Sequence, residues 1–276
     1  MHPVQCYLCR NIKGCLMTTF STQLRSFRKA KGFSQLSLAM EAGMSSKHVS
    51  FIENERSKPS KEAVLRLAEA LDLPLRTRNE LLSLAGFAEH YSRTPLDQRN
   101  MDRVSKTLQI ILDKHEPYPA IVLDWHWNII LQSDGFQRLF DICKAACPHF
   151  PDTQNIAEMI FDPNAVKPFI GNWQEIANTT LLRLQHEQQA APGRHDNLLK
   201  SLARHPDFPS DPQPIDLNIR TEPFVYLDFQ LGGQSLKFLT TLTSFGTPTD
   251  ITAAEILIEQ YYPADDFTQT FLEMNS

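Results

Sequence analysis

QLSLAMEAGMSSKHVSFIEN, residues 35–54, reads as two short helices joined by a tight turn. Ser34 and Ser45 are hydroxyl residues placed to cap each helix, and Gly43 can take the positive φ that the turn needs. Ala39 supplies a small side chain where crossing helices approach, and Met44 can plug the space beneath the turn. Leu36 and Met40 are the expected buried face of the first helix, Val49 and Ile52 that of the second. Each residue type is common, but all of them at these offsets specify a helix-turn-helix.

That register leaves Ser45, Ser46, Lys47, Ser50 and Phe51 on the outer side of the second helix. Short hydroxyls and a lysine reach base edges in a major groove, and a phenyl ring can contact a thymine methyl. His48 suits either a groove contact or surface packing. Gln35 is placed to bond a phosphate and brace the reading helix; Asn54, Arg56 and Lys58 follow that helix at positions suited to backbone phosphates. Glu53 is expected to pair with an Arg or Lys of its own domain.

Working outward, a helix carrying Leu24, Phe27 and Arg28 precedes this motif and stops at Gly32. Ser60 caps a fourth helix with Val64, Leu67, Ala68 and Leu71 at helical spacing, Pro74 ends it, and residues 76–85 form a fifth. Residues 1–99 carry 15 Lys/Arg against 9 Asp/Glu, whereas residues 100–276 carry 12 against 23. A basic front on an acidic body suits phosphate binding by the front alone.

The stretch LRSFRKAKGFSQLSLAMEAGMSSKHVSFIENERSKPSKEAVLRLAEAL, residues 24–71, resembles the Cro/repressor-type (XRE) helix-turn-helix family. The resemblance implies an all-α, five-helix, lambda-repressor-like DNA-binding domain over residues 21–88. By position, the family's base-reading places fall on Ser46, Lys47, Ser50 and Phe51, and its phosphate-binding glutamine on Gln35. Glu55 stands where the family usually has glycine, so the end of the second helix is expected to differ slightly.

With 276 residues, 42% of them hydrophobic, the chain has material for two domains. A polar stretch at 90–100 with Pro95 reads as a linker, and 101–115 as a connecting helix with Val104, Leu108, Ile111 and Leu112 along one stripe; linker and helix together occupy 89–117. The period then changes. Residues 120–131 read as one strand with Asp124, Trp125, His126, Trp127 and Asn128 at its middle. Residues 136–146, 156–161, 173–189 and 197–204 read as helices, and 224–231 and 236–245 as strands about a Gly232-Gly233 turn. Thr252-x-x-Glu255 resembles a capping box, but Ala254, Ile256 and Ile258 alternate as in a strand, and strand is the reading adopted. A last helix follows Asp266, whose pairing with Asp265 suits a helix cap. The rear half is thus α+β with antiparallel strands.

RNELLSLAGFAEHYSRTPLD (78–97), HEPYPAIVLDWHWNII (115–130) and TSFGTPTDITAAE (243–255) together resemble regulators whose rear half is an MmyB-like ligand-binding domain. The resemblance implies a PAS-like antiparallel sheet flanked by helices over 118–276, enclosing a pocket for a small apolar ligand of fatty-acid or acyl type. Ser133 stands where the family often carries asparagine. Trp127, Phe136, Phe140, Trp173, Phe224, Tyr226 and Phe238 are enough large aromatics to line such a pocket, although each alone is more often ordinary core. Arg183, His186 and Arg220 could receive a carboxylate head group, solvated surface charge being the commoner fate.

Cys6, Cys9 and Cys15 sit in an N-terminal extension, residues 1–20, read as mobile, and Met17 is a plausible alternative start. An odd cysteine count does not suggest a disulfide framework, and no metal or cofactor is expected. Cys143 and Cys147 share a helical face, where burial is expected. His186, His195 and His205 lack metal-ligand spacing, and phosphate-loop, dinucleotide, serine-elbow and zinc-helix motifs are absent, so no enzyme is expected. Without a signal peptide or an apolar run of about 18 residues, a cytoplasmic location and no membrane partner are expected. The reading is a homodimeric regulator that binds double-stranded operator DNA under control of a small apolar ligand. The alternative is a constitutive repressor or antitoxin-like protein whose rear domain dimerises or binds a protein.

Overall fold

The computed structural model describes residues 19–209, 211–212 and 225–275, in two units divided between His90 and Tyr91. Cys6, Cys9, Cys15, Arg220 and Phe224 lie outside the described residues.

The first unit contains α1 (Phe20–Ala30), α2 (Gln35–Glu41), α3 (Ser46–Glu53), α4 (Lys61–Ala70) and α5 (Leu75–Leu84). Hydroxyl caps start the first four: the Thr19, Ser34, Ser45 and Ser60 side chains each accept from the backbone N–H three residues on. Leu24, Phe27, Leu38, Ala39, Val49, Ile52, Val64, Leu67 and Leu82 form the shared core. Met44 packs partly buried against it.

The expected inner face of α2 is corrected. Leu36 and Met40 are 59% and 73% exposed, while Leu38, Ala39 and Ala42 are buried. Two apolar stripes at helical spacing compete in this short helix, and the one that carries Leu38, Ala39 and Ala42 packs into the core shared with Val49 and Ile52 of α3. Gly43 has φ +60°, and a β-carbon there would lie 2.5 Å from Arg66 Nη2. The Arg66 guanidinium donates to the carbonyls of Ala42 and Gly43, so the turn is held by α4. Glu55 takes φ +57° just past α3, the left-handed conformation a glycine adopts without strain.

The second unit is a five-stranded antiparallel sheet with helices. Its strands are β1 (Ala120–Leu123), β2 (Ile129–Gln132), β3 (Tyr226–Leu231), β4 (Gln234–Thr243) and β5 (Leu257–Pro263), in the order β2-β1-β5-β4-β3. The helices are α6 (Asp102–His115), α7 (Asp134–Ala146), α8 (Ile156–Phe161), α9 (Trp173–Ala190), α10 (Asp196–Leu202), α11 (Ile251–Glu255) and α12 (Asp266–Met274). β1 is buried on both faces, which is why it reads as an unbroken apolar run. Ala120 and Val122 join Leu108 and Leu112 of α6 in one core, and Ile121 and Leu123 join the larger core with α8 and α9. The molecule is α+β, helical in its first unit and sheet-based in its second.

Two local readings are corrected. Residues 120–131 are two strands, because the Asp124 carboxylate accepts from His126 N (2.8 Å), Asn128 N (2.9 Å) and Asn128 Nδ2 (3.0 Å) and folds the chain back. Asp and Asn side chains that bond nearby backbone favour turns over ladders. Ala254 lies in α11, not in a strand; Asp250 caps that helix through Thr252 N and Ala253 N, and the strand begins only at Leu257. Ser133, in the place of the family's asparagine, caps α7 through Phe136 N and also accepts from Ala120 N. Asp265 caps α12 through Thr268 N.

Candidate functional site

In the helical unit, α3 carries Ser46 and Lys47 exposed and His48, Ser50 and Phe51 half-buried, with Ser45 at its cap. Lys47 Nζ sits 5.5 Å from the centroid of the Phe51 ring, so the two present one cationic and apolar surface. Arg56 and Lys58 follow on the exposed loop.

A buried carboxylate fixes this surface. Glu53, on α3, accepts from Arg28 Nε at 2.6 Å and Nη2 at 3.0 Å, and from Gln35 Nε2 at 2.8 Å. Burial pulls its carboxyl upward, but the Arg28 and Gln35 hydrogen bonds and the Arg28 and Arg25 charges outweigh that and hold it low. Glu53 thereby joins α1, α2 and α3, which meets the expectation of an intradomain cation and adds Gln35 to it. Asn54 Nδ2 donates to the carbonyl of Ser50 at 2.8 Å, and Asn54 Oδ1 accepts from Arg25 Nη2 at 3.0 Å. Arg25, invisible to the motif reading, therefore stands beside the end of α3.

In the second unit, a cavity of about 210 Å³ lies between the sheet and α7, α8 and α9. Alternate strand residues line it: Leu227 and Phe229 on β3, Phe238, Thr240 and Leu242 on β4, Glu259 and Tyr261 on β5. Of the aromatics singled out in the sequence, Trp127, Phe136, Phe140 and Phe238 line the cavity. Trp173 and Tyr226 are not among the lining residues: Trp173 Nε1 donates to the Ile160 carbonyl at 2.7 Å, and its ring lies under Lys167 at 3.8 Å. Of the three cations considered, Arg183 lines the cavity and His186 is exposed on α9.

The polar wall contains Thr179, Thr180, Arg183, Thr240, Glu259 and Tyr261. The Arg183 guanidinium carbon is 4.3 Å from the Trp127 ring centroid, and its Nε donates to Glu187 Oε1 at 3.1 Å. Its buried Nη2 has no hydrogen-bond partner among the described residues. Glu187 Oε2 accepts from Trp127 Nε1 at 3.0 Å and lies 2.9 Å from His195 Nε2. Burial would raise the Glu187 carboxyl, yet the His195 and Trp127 hydrogen bonds and the Arg194 and Arg183 charges bring it down to about 2. Burial pushes Glu259 up against the opposing Arg183 charge and Tyr261 hydrogen bond, and pushes the Tyr261 phenol well above its ordinary value. Cys143, buried as expected, lines the cavity with its thiol pushed by burial up to about 12; Cys147 is half-buried.

Glu259 and Tyr261 went unnoticed in the sequence. Their signal was a single acid of the same parity as Tyr261 within the apolar run ILIEQYY, residues 256–262.

Among the described residues, no helix is long and apolar enough to cross a membrane, and no three His, Cys, Asp or Glu side chains group as metal ligands. A helix-turn-helix family model matches residues 24–77, and the model of the MmyB-like transcription regulator ligand binding domain matches residues 104–274. No curated protein matches the chain. The first match covers α2 and α3 with their buried Arg28–Glu53 brace, and the second covers the sheet, its helices and the cavity between them. The chain is a DNA-binding transcription regulator that belongs to the MmyB-like family.

Proposed function

We propose that this regulator is a cytoplasmic homodimer on a partly palindromic operator, and that a small, mainly apolar ligand in the second unit changes its affinity for DNA. The observation that carries the ligand is the cavity, whose apolar walls and few polar groups at one side are the usual composition of a small-molecule site. Its volume of about 210 Å³ falls below the roughly 300–1,000 Å³ of drug-sized pockets, which favours a short acyl-type chain. Dimerisation is favoured because one helix-turn-helix module buries little surface, and paired half-sites multiply its specificity. The ligand acts only insofar as it prefers the DNA-competent or the incompetent state.

We read the cavity as a binding site and not a catalytic one. The thiol of Cys143 is held protonated, and a protonated thiol is a poor nucleophile.

Native mass spectrometry of the full-length protein purified from cells tests the proposal, followed by extraction of any bound molecule and titration of operator DNA with and without it. A co-purifying small molecule that shifts operator affinity is expected. An obligate protein partner, with no small molecule and no shift, would establish the constitutive or antitoxin-like alternative instead.

A further inference from the structure

The chain passes from the first unit to the second between His90 and Tyr91, and it is tied down on both sides of that point. In the first unit the His90 N–H donates to Asn79 Oδ1 at 3.0 Å, and Asn79 is buried on α5. In the second unit the Ser92 carbonyl accepts from Ile251 N, in the first turn of α11, at 2.8 Å. Tyr91 alone separates these anchors. Across it the chain spans roughly 7 Å at most, so Ser92 cannot move far without drawing His90 along.

Asp250 governs the second anchor, and its two carboxylate oxygens serve different segments. Oδ1 accepts from Thr252 N at 2.8 Å and Ala253 N at 3.4 Å, which caps α11. Oδ2 accepts from Ser92 Oγ at 2.9 Å, Thr94 N at 3.1 Å and Thr94 Oγ1 at 2.7 Å; Thr94 N also reaches Oδ1, at 3.4 Å. Hydrogen bonds to an ionised acceptor are about twice as strong as neutral ones, so this is a firm tie.

Asp250 also stands between the two strands that border the cavity. It follows β4, whose Thr240 and Leu242 line the cavity, and α11 leads into β5, whose Glu259 and Tyr261 line it too. Ile258 points to the opposite face of β5 and shares a core with Ile256, against which Leu96 of the linker and Phe245 of the β4–α11 loop pack. Ser105 Oγ of α6 donates to the Leu96 carbonyl at 3.0 Å. Close-packed interiors transmit strain, so a shift of β4 and β5 reaches the Asp250 carboxylate and, through it, Ser92.

Resting on the proposal that cavity occupancy changes DNA affinity, we infer that Asp250 is the positioning residue that couples the cavity to the joint at Tyr91. With the Oδ2 bonds intact, movement of β4 and β5 is passed to the segment that ends at His90. With them broken, the linker gains slack and the two units respond independently.

Coupling is reciprocal: if occupancy changes DNA affinity, operator DNA must change the second unit by the same free energy. Hydrogen exchange on the full-length protein therefore provides a test that needs no ligand, with a duplex selected from a random pool and a scrambled control. In the natural protein the selected duplex is expected to change amide exchange at residues 240–242 and 259–261 by about 5- to 150-fold, the usual range of coupling. Asp250→Asn keeps an oxygen for the α11 cap but replaces the linker's acceptor with an amide donor. It is expected to remove that change while still binding the selected duplex. A merely structural role would alter exchange equally with and without DNA. A DNA-induced change that persists in Asp250→Asn overturns the inference and leaves ligand control of DNA binding standing. No change in the natural protein overturns both. If Asp250→Asn fails to fold, Thr94→Val decides: it deletes one Oδ2 donor, leaves the cap whole and is expected to reduce the DNA-induced change, whereas the full change would overturn the inference.

Discussion

Arg28 and Glu53 form a two-pronged ion pair inside the helical unit, Nε to Oε1 at 2.6 Å and Nη2 to Oε2 at 3.0 Å, with side chains 10% and 0% exposed. Removing one partner of such a pair leaves a buried charge uncompensated, which costs about 3–5 kcal/mol. Glu53→Ala is therefore expected to lower the urea midpoint of the helical unit sharply and to weaken DNA binding, because α1, α2 and α3 lose their common tie. A double variant, Arg28→Leu with Glu53→Leu, is expected to recover much of the stability, since no orphan charge remains. A single variant that unfolds like the natural protein would refute this role.

Glu55 holds φ +57° where a glycine would sit without strain. Left-handed backbone costs a side-chain-bearing residue roughly 1–2 kcal/mol, partly offset by the greater freedom of glycine in the unfolded chain. Glu55→Gly also loses an exposed hydrogen bond from Thr19 Oγ1, 2.9 Å long. The net expectation is a gain of about 0.5–1 kcal/mol, read as a higher melting temperature of the helical unit. A lower one would mean that the Thr19 bond outweighs the strain.

Lys47 is exposed on α3 above Phe51. Lys47→Ala is expected to weaken operator binding by ~1–3 kcal/mol and to relax preference at one base position, measured by fluorescence anisotropy on selected and scrambled duplexes. An equal loss on both, with a salt slope reduced by about 1, would move Lys47 from bases to phosphate. Unchanged affinity would remove it from the interface.

Glu187 is held at about 2, against an unfolded value near 4.5, by the groups that converge on it. A lowered folded value means that the unfolded state binds the proton more readily. The stabilisation, on the order of 3 kcal/mol, is thus fully present above about pH 4.5 and drains away as pH falls toward 2. Urea unfolding of the second unit between pH 6 and pH 2.5 is expected to show that loss, and Glu187→Gln to flatten it. An unaltered acid profile in the variant would show that the cluster does not stabilise the fold.

Much of this was legible in local chemistry. Ser34, Ser45 and Ser60 announced their helices because an N-cap needs only a hydroxyl within three residues of an orphan N–H. Gly232-Gly233 announced the β3–β4 hairpin because a two-residue turn needs positive φ, and both glycines have it. The hairpin at 124–128 was missed because Trp125 and Trp127 carry strand propensity, while its cause is one carboxylate at Asp124 bonding three N–H groups. The capping box at Thr252–Glu255 pointed to a real helix, but its cap is Asp250.

What the sequence by itself determined was the helix-turn-helix, the order of the elements outside residues 120–131 and 251–255, and the aromatic stock of the rear domain, since each depends on neighbours a few positions apart. Which stripe of α2 turns inward was decided only by packing: Leu38 and Ala42 are buried and Leu36 and Met40 are not, because the first pair joins Val49, Ile52, Val64 and Leu67 in one core. Arg183, Glu259 and Tyr261 likewise become one polar wall only when α9 is laid on the sheet beside β5. No spacing rule connects residues that far apart in the chain. Their meeting, and the burial that sets their charges, belongs to the tertiary structure.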